Sequence, residues 1–242
     1  MAERASDARA VRRDELEASL AALNERIARA CDVASRDPAA ITLIAVTKTF
    51  PASDIRLLAE LGATDVGENR DEEAAGKHAE CADLPLVWHF VGQVQRRKAR
   101  SIASYADVVH SIDRAELAVA LGAAASAAGR VVAGLVQVSL DASGIDGRGG
   151  AAPDRAADLA EQINATAGLA LAGVMGVAPL GGDPGPAFER LAEVSAQVRA
   201  RFAAATVISA GMSGDLEAAI RHGATHLRVG TALLGGREAL VG

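Results

Sequence analysis

The chain has 242 residues, enough for one large domain, and its net charge of -6 argues against a general nucleic-acid binder. Half of the residues are hydrophobic but only 2% are aromatic, so the core must be built from Ala, Val, Leu and Ile. No apolar stretch is long enough to span a bilayer, and Met1–Glu15 is too charged for a signal peptide, so a cytoplasmic protein is expected. Cys31 and Cys81 are too few for a disulfide framework and lack metal-ligand spacing, so no metal is expected.

In chain order, residues 1–7 are expected to fray, and residues 8–36 to hold an N-terminal helix. Leu16, Leu20, Leu23 and Ile27 recur there at helical spacing among charged residues. This helix precedes the first strand, so it reads as an addition that covers the barrel bottom or meets a partner. Alternation of strands and helices then begins. Thr42–Lys48 is a short apolar run suited to a strand buried on both faces, closed by Pro51. Ser53 can cap the following helix, which stops at Gly62. Thr64–Glu68, Leu86–Gly92, Ala106–Ile112 and Val131–Leu140 read as further strands, with a charged helix at 70–80 and a basic one at 94–104. Asp113 and Glu116 have the spacing of a capping box. Asp141–Gly150 reads as a flexible loop or an active-site lid. Helix returns at 153–167, followed by strands at Leu169–Val177, Thr206–Ser209 and His226–Val229, with helices at 187–204 and 213–222 between them. Eight strands alternating with helices predict a single (β/α)8 TIM-type barrel with an extra N-terminal helix, spanning residues 1–242. An open doubly wound sheet is the alternative.

Lys48 falls at the carboxyl end of its strand, where α/β folds place their chemistry. An amine there can condense with an aldehyde, or simply reach solvent or an ion pair. Ser209-Ala210-Gly211-Met212-Ser213-Gly214 follows the seventh strand, and Arg228-Val229-Gly230-Thr231 ends the eighth. Small residues in both turns let backbone N–H groups approach an anion, and barrels bind phosphate at these two loops. Asp215 and Glu217 oppose an anion and are expected to turn away from it. His89 and His110 lie on strands and read as satisfied core histidines, Trp88 reads as packing, and the Arg96, Arg97, Lys98 and Arg100 cluster as a solvated helix face.

Ala45-Val46-Thr47-Lys48, Gly67-Glu68-Asn69-Arg70, Trp88-His89-Phe90-Val91-Gly92, the run Gly211–Ile220 and Arg228-Val229-Gly230-Thr231-Ala232 occur in one order along nearly the whole chain. Together they resemble the pyridoxal phosphate homeostasis protein family, which is similar in fold to the barrel domain of alanine racemase. The resemblance implies that Lys48 carries pyridoxal 5'-phosphate (PLP) as a Schiff base. It implies that Ser209, Gly230 and Thr231 hold the phosphate, with Met212 and Ser213 close by, Arg228 facing the pyridine nitrogen and Asn69 near the ring hydroxyl. Gln95-Arg96-Arg97-Lys98 lacks the asparagine common in the family, and the Gly-rich loop also departs from it.

An arginine at the pyridine nitrogen disfavours its protonation and weakens the ring as an electron sink. Racemisation needs an acid/base on each face of the substrate, and the only tyrosine, Tyr105, is expected far from the site. The resulting expectation is a non-catalytic protein, with no catalytic residue, that stores PLP and delivers it in the cell. PLP-dependent apoenzymes would be its partners, and the chain would be a monomer that binds neither nucleic acid nor membrane. The alternatives are a PLP-dependent amino-acid racemase-like enzyme and a phosphate-sugar barrel enzyme using Lys48 without a bound cofactor.

Overall fold

The computed structural model describes residues 2–141 and 149–236. Strands β1 (Thr42–Val46), β2 (Asp65–Glu68), β3 (Val87–Phe90), β4 (Val108–Ile112), β5 (Val132–Val138), β6 (Leu169–Gly176), β7 (Val207–Ser209) and β8 (His226–Val229) are all parallel and close into a barrel in sequence order. Closure is made by β1 against β8, with Leu43 opposite Leu227 and Ala45 opposite Val229, which removes the open-sheet alternative. Helix α1 (Ala2–Val33) comes first. Around the barrel follow α2 (Ala52–Glu60), α3 (Asp71–Glu80), α4 (Ala99–Tyr105), α5 (Ala115–Ala127), α6 (Ala156–Ala165), α7 (Gly185–Arg201), α8 (Leu216–Arg221) and α9 (Thr231–Leu234).

Several local expectations change. Helix α1 starts at Ala2, within the stretch expected to fray, and ends at Val33. Strand β1 stops at Val46, so Lys48 lies in the turn beyond it. Ser53 does not cap α2: Pro51 occupies the cap position with extended backbone and no side-chain bond. The capping box before α5 is also absent, because Arg114 is the cap residue and its guanidinium takes the Asp113 carboxylate at 2.5 Å. Residues 142–148 of the loop considered as a lid lie outside the described residues.

The larger change concerns α1. It packs against α2, α8 and α9, on the outside of the β8–β1 seam. The last described helix, α9, has only four residues, too few to cover that seam, and α1 fills the place of the barrel's eighth helix. Leu16, Leu23, Ile27, Ala30 and Cys31 are buried in the main core, while the charged face stays outside. Arg12 bridges Asp54 of α2 and the Leu234 carbonyl of α9, at 2.7 and 3.0 Å. Arg36 donates to the carbonyls of Ile220 and Ala224. A helix so joined belongs to the fold. Leu16→Ala is expected to lower the unfolding free energy by about 2–5 kcal/mol in urea titrations, as for other fully buried leucines. A loss below about 0.5 kcal/mol would mean that α1 is only appended.

Candidate functional site

Every site residue singled out in the sequence lies at or just beyond the carboxyl end of a strand, on one mouth of the barrel. Lys48 follows β1, Asn69 follows β2, Ser209 ends β7 and precedes Met212 and Ser213, and Arg228 is near the end of β8 before Gly230 and Thr231. The two loops read as an anion cradle are joined, since Ala232 N–H donates to Ser213 Oγ at 3.1 Å. A Cβ on Gly230 would sit 3.3 Å from the Val46 carbonyl, so the β8 turn runs close against the end of β1. Gly211 has φ +91, and a Cβ there would come 2.7 Å from Ala219 Cβ, so only glycine fits this turn. Asp215 accepts Met212 N–H at 2.6 Å, which commits that donor to the chain's own loop. Glu217 pairs with Arg26 of α1, and Arg26 also donates to the Ser213 carbonyl at 2.8 Å. Both carboxylates that oppose an anion are therefore engaged elsewhere.

Arg228 and Ser209 are buried, and their partners lie inside the barrel. Arg228 Nη1 donates to Ser209 Oγ at 2.5 Å and Nη2 to the Gly176 carbonyl at 2.9 Å. Ser209 Oγ lies 2.9 Å from His110 Nδ1, His110 Nε2 lies 2.9 Å from His89 Nδ1, and His89 Nε2 lies 2.8 Å from Asp65 Oδ1. Strands β4 and β7 are not neighbours, so the bond between His110 and Ser209 must cross the interior. Arg228 can only donate, so Ser209 Oγ accepts from it, while the donor and acceptor roles at the ring nitrogens follow the tautomers of His110 and His89. Burial, with His89 and Arg228 nearby, pushes His110 well below the ordinary histidine range. Burial also pushes Arg228 down to about 10, which leaves it charged at neutral pH. No carboxylate forms an ion pair with Arg228 among the described residues. The reading of His89 and His110 as satisfied core histidines agrees with this arrangement.

A second polar group, not anticipated from the sequence, surrounds the Lys48 turn. Lys77 of α3 donates to the Thr47 carbonyl and to Glu68 Oε1, both at 2.8 Å, and to Glu73 Oε1 at 2.6 Å. Glu68 Oε1 also accepts from Thr47 Oγ1 at 2.6 Å, and Glu73 Oε1 accepts Thr49 N–H at 2.5 Å. Burial raises the Glu68 pKa despite the bonds from Lys77 and Thr47. These residues sit up to thirty positions apart, and the sequence reading had placed only a charged helix at 70–80.

Beside Asn69 a cavity of about 550 Å³ opens between the β2 and β3 loops, lined by Arg70, Phe90, Gln93, Arg97 and Lys98 among others. Gly92 packs directly on the Asn69 backbone, where a Cβ would clash. The basic cluster is thus not simply a solvated face. Lys98 pairs with Glu72 at 2.8 Å and Asp71 at 3.3 Å, tying this loop to α3, and Arg97 lines the cavity. Trp88 is packing, in a cluster with Ile55, Val66 and Cys81. No group of metal-ligating side chains occurs among the described residues.

A closed barrel with a lysine, a buried arginine and two joined small-residue loops at one mouth has the architecture of the alanine racemase N-terminal domain, whose family model matches residues 18–238. The alanine racemase of Streptomyces coelicolor shares this fold with a TM-score of 0.71 at 21% identity, over 93% of this chain and 59% of that one. At that identity the likeness is one of fold alone. Nearer relatives narrow the class. The chain is 43% identical to the pyridoxal phosphate homeostasis protein of Mycobacterium tuberculosis, over 94% of this chain and 95% of the relative. PipY of Synechococcus elongatus, solved with PLP bound, has a TM-score of 0.79 at 33% identity, over 91% of this chain and all of that one. The chain belongs to the pyridoxal phosphate homeostasis protein family.

The interior histidines make the fold sensitive to acid. His226 is pushed down to about 4, mainly by burial and then by His89, and His110 is also held neutral. Between roughly pH 6.5 and pH 4 the unfolded chain binds protons that the folded chain refuses, so stability falls as pH is lowered through that window. The urea midpoint is expected to drop steadily from about pH 7 to about pH 4.5. An unchanged midpoint would show that these imidazoles titrate as freely as in the unfolded chain.

Proposed function

We propose that this protein binds PLP reversibly at the carboxyl mouth of the barrel, covalently through Lys48, and stores and delivers the cofactor in the cell. The observation that carries the reading is the convergence on one mouth of Lys48, Arg228 and the two joined loops, in a chain from this family. When bound, PLP supplies an aldehyde that condenses with a primary amine, together with a ring nitrogen, a phenolic oxygen and a phosphate.

The residues present fit each of those groups. Lys48 is half-buried, with no hydrogen bond or ion pair of its own among the described residues, so its amine is available. Arg228, held by Ser209 and Gly176, would face the ring nitrogen and keep it unprotonated. Asn69 Oδ1 is buried without a partner among the described residues, and we assign it to the ring's hydroxyl side. Ser213, Gly230 and Thr231 would hold the phosphate, with Ser209 and Met212 bordering them. The bonds that Ser209 and Met212 already make assign them to shaping the cradle.

A carrier role is supported by what surrounds the mouth. Tyr105 sits at the end of α4 in the outer layer, buried, with its hydroxyl 3.4 Å from Asp71, and burial pushes its pKa far up. It is poorly placed to serve as a second acid/base. The recipients would be PLP-dependent apoenzymes, reached by a monomer in the cytoplasm. No helix among the described residues is long and apolar enough to cross a membrane.

The test is the visible spectrum of the purified protein during PLP addition. A yellow band is expected in the wild type, with borohydride fixing the cofactor on residue 48 by mass spectrometry. Lys48→Ala should show neither, and Arg228→Gln should bind at least about tenfold more weakly, the loss of one charged contact. No band at saturating PLP would overturn the reading. Turnover of free amino acids that vanishes in Lys48→Ala would instead make the protein an enzyme.

A further inference from the structure

Among the described residues the Lys48 side chain has no bond of its own, yet both of its neighbours are fixed. Thr47 is gripped twice, through its carbonyl by Lys77 and through its hydroxyl by Glu68. Thr49 is gripped once, through its N–H, by Glu73. Its φ of +70 is a left-handed conformation that a β-branched residue keeps only when its surroundings hold it there. Lys77 has three protons to donate, and all three have acceptors: the Thr47 carbonyl and one oxygen of each glutamate. Its side chain and that of Glu68 are almost fully buried, at 8% and 1% exposure, so these charged contacts are little screened by water.

We infer that Glu68, Glu73 and Lys77 are positioning residues that lock the backbone on both sides of Lys48, leaving its amine free but aimed. The inference rests on the reading of Lys48 as the attachment point and adds how the chain prepares it. A nucleophile gains when its backbone is ordered before the ligand arrives, because the entropy of ordering is not then taken from binding. Glu68 ends β2, and Glu73 and Lys77 lie one turn apart on α3, so two rigid elements set the geometry of a turn. The ammonium of Lys77 is needed because it reaches both carboxylates and the strand-end carbonyl at once. None of the three residues is required to touch the cofactor.

The test compares wild type, Glu73→Ala, Glu73→Gln and Lys77→Met, with Lys48→Ala as the control. Two quantities are read: amide hydrogen exchange at Thr49 in the cofactor-free protein, and the rate at which PLP is trapped on residue 48 by borohydride. In Glu73→Ala and Lys77→Met the Thr49 amide should exchange at least about tenfold faster, and trapping should slow by a similar factor. Glu73→Gln keeps an acceptor for Thr49 N–H and should recover part of both, which general destabilisation would not give. Should Lys77→Met fail to fold with its carboxylates unpaired, Lys77→Met/Glu68→Gln removes the buried charge on both sides and carries the same expectation. Wild-type trapping in Glu73→Ala, with Thr49 exchange either raised or unchanged, overturns the positioning role while leaving the attachment reading intact. Trapping that persists in Lys48→Ala overturns the attachment reading and the positioning role with it.

Discussion

A guanidinium buried inside a closed barrel cannot be left to itself, and much of this structure follows from accommodating Arg228. An unpaired buried charge is expensive, and no carboxylate touches this one among the described residues. The compensation comes through Ser209, His110 and His89, ending at Asp65 near the opposite end of the strands. Four strands contribute interior positions to that chain, so part of the barrel centre is polar where many barrels are filled by Val, Ile and Leu. Apolar packing is concentrated in the layer between strands and helices, in the continuous cluster that runs from Leu16 to Leu234. The direction of Arg228 is fixed as well, because Ser209 Oγ holds one of its nitrogens and the Gly176 carbonyl the other. Rigidity at the ring-nitrogen side of the proposed cofactor site is therefore inherited from the interior of the fold.

The opposite side of the mouth is held from outside. Helix α1 reaches three site loops: Arg12 joins Asp54 beyond the Lys48 turn to the Leu234 carbonyl beyond Thr231, and its guanidinium lies 5.7 Å from the Phe50 ring centre. Arg26 holds the Ser213 carbonyl and Glu217. A helix that looked like an appendage thus helps to set the distance between the lysine and the small-residue loops. Three polar systems, the interior chain, the Lys77 group and α1, each hold a different part of the mouth.

Much of this was legible in the sequence, for identifiable reasons. Short apolar runs alternating with helical patterns gave the barrel and its strand order, because parallel strands buried on both faces leave that signature. Lys48 and the loops after β7 and β8 stood out because strand ends and small residues are local features. The place of α1 did not, since an amphipathic helix says that it packs but not on what. Ser53 and Asp113 had the chemistry of caps, but Pro51 and the Arg114 guanidinium prevailed at those positions. The contacts of Glu68, Glu73 and Lys77 with the Lys48 turn depend on β2 and α3 docking beside it, which no spacing encodes. The pairing of His89 and His110 was half visible: each lies on a strand, but only closure shows that they share the interior.

The position of α1 has a consequence for how the chain is made. Its partners come from the other end of the sequence, with separations of 191 for Arg26 with Glu217 and 222 for Arg12 with Leu234. Helix α1 leaves the ribosome long before its partners do and is therefore among the last elements to be buried. Its apolar stripe, with Leu16, Leu23 and Ile27, must wait in water until β8 has been synthesised and the seam exists. Contacts this distant slow folding, because a long loop must close before any of them forms. During translation the stripe is exposed apolar surface, and in a crowded cell such surface is where two nascent chains stick together.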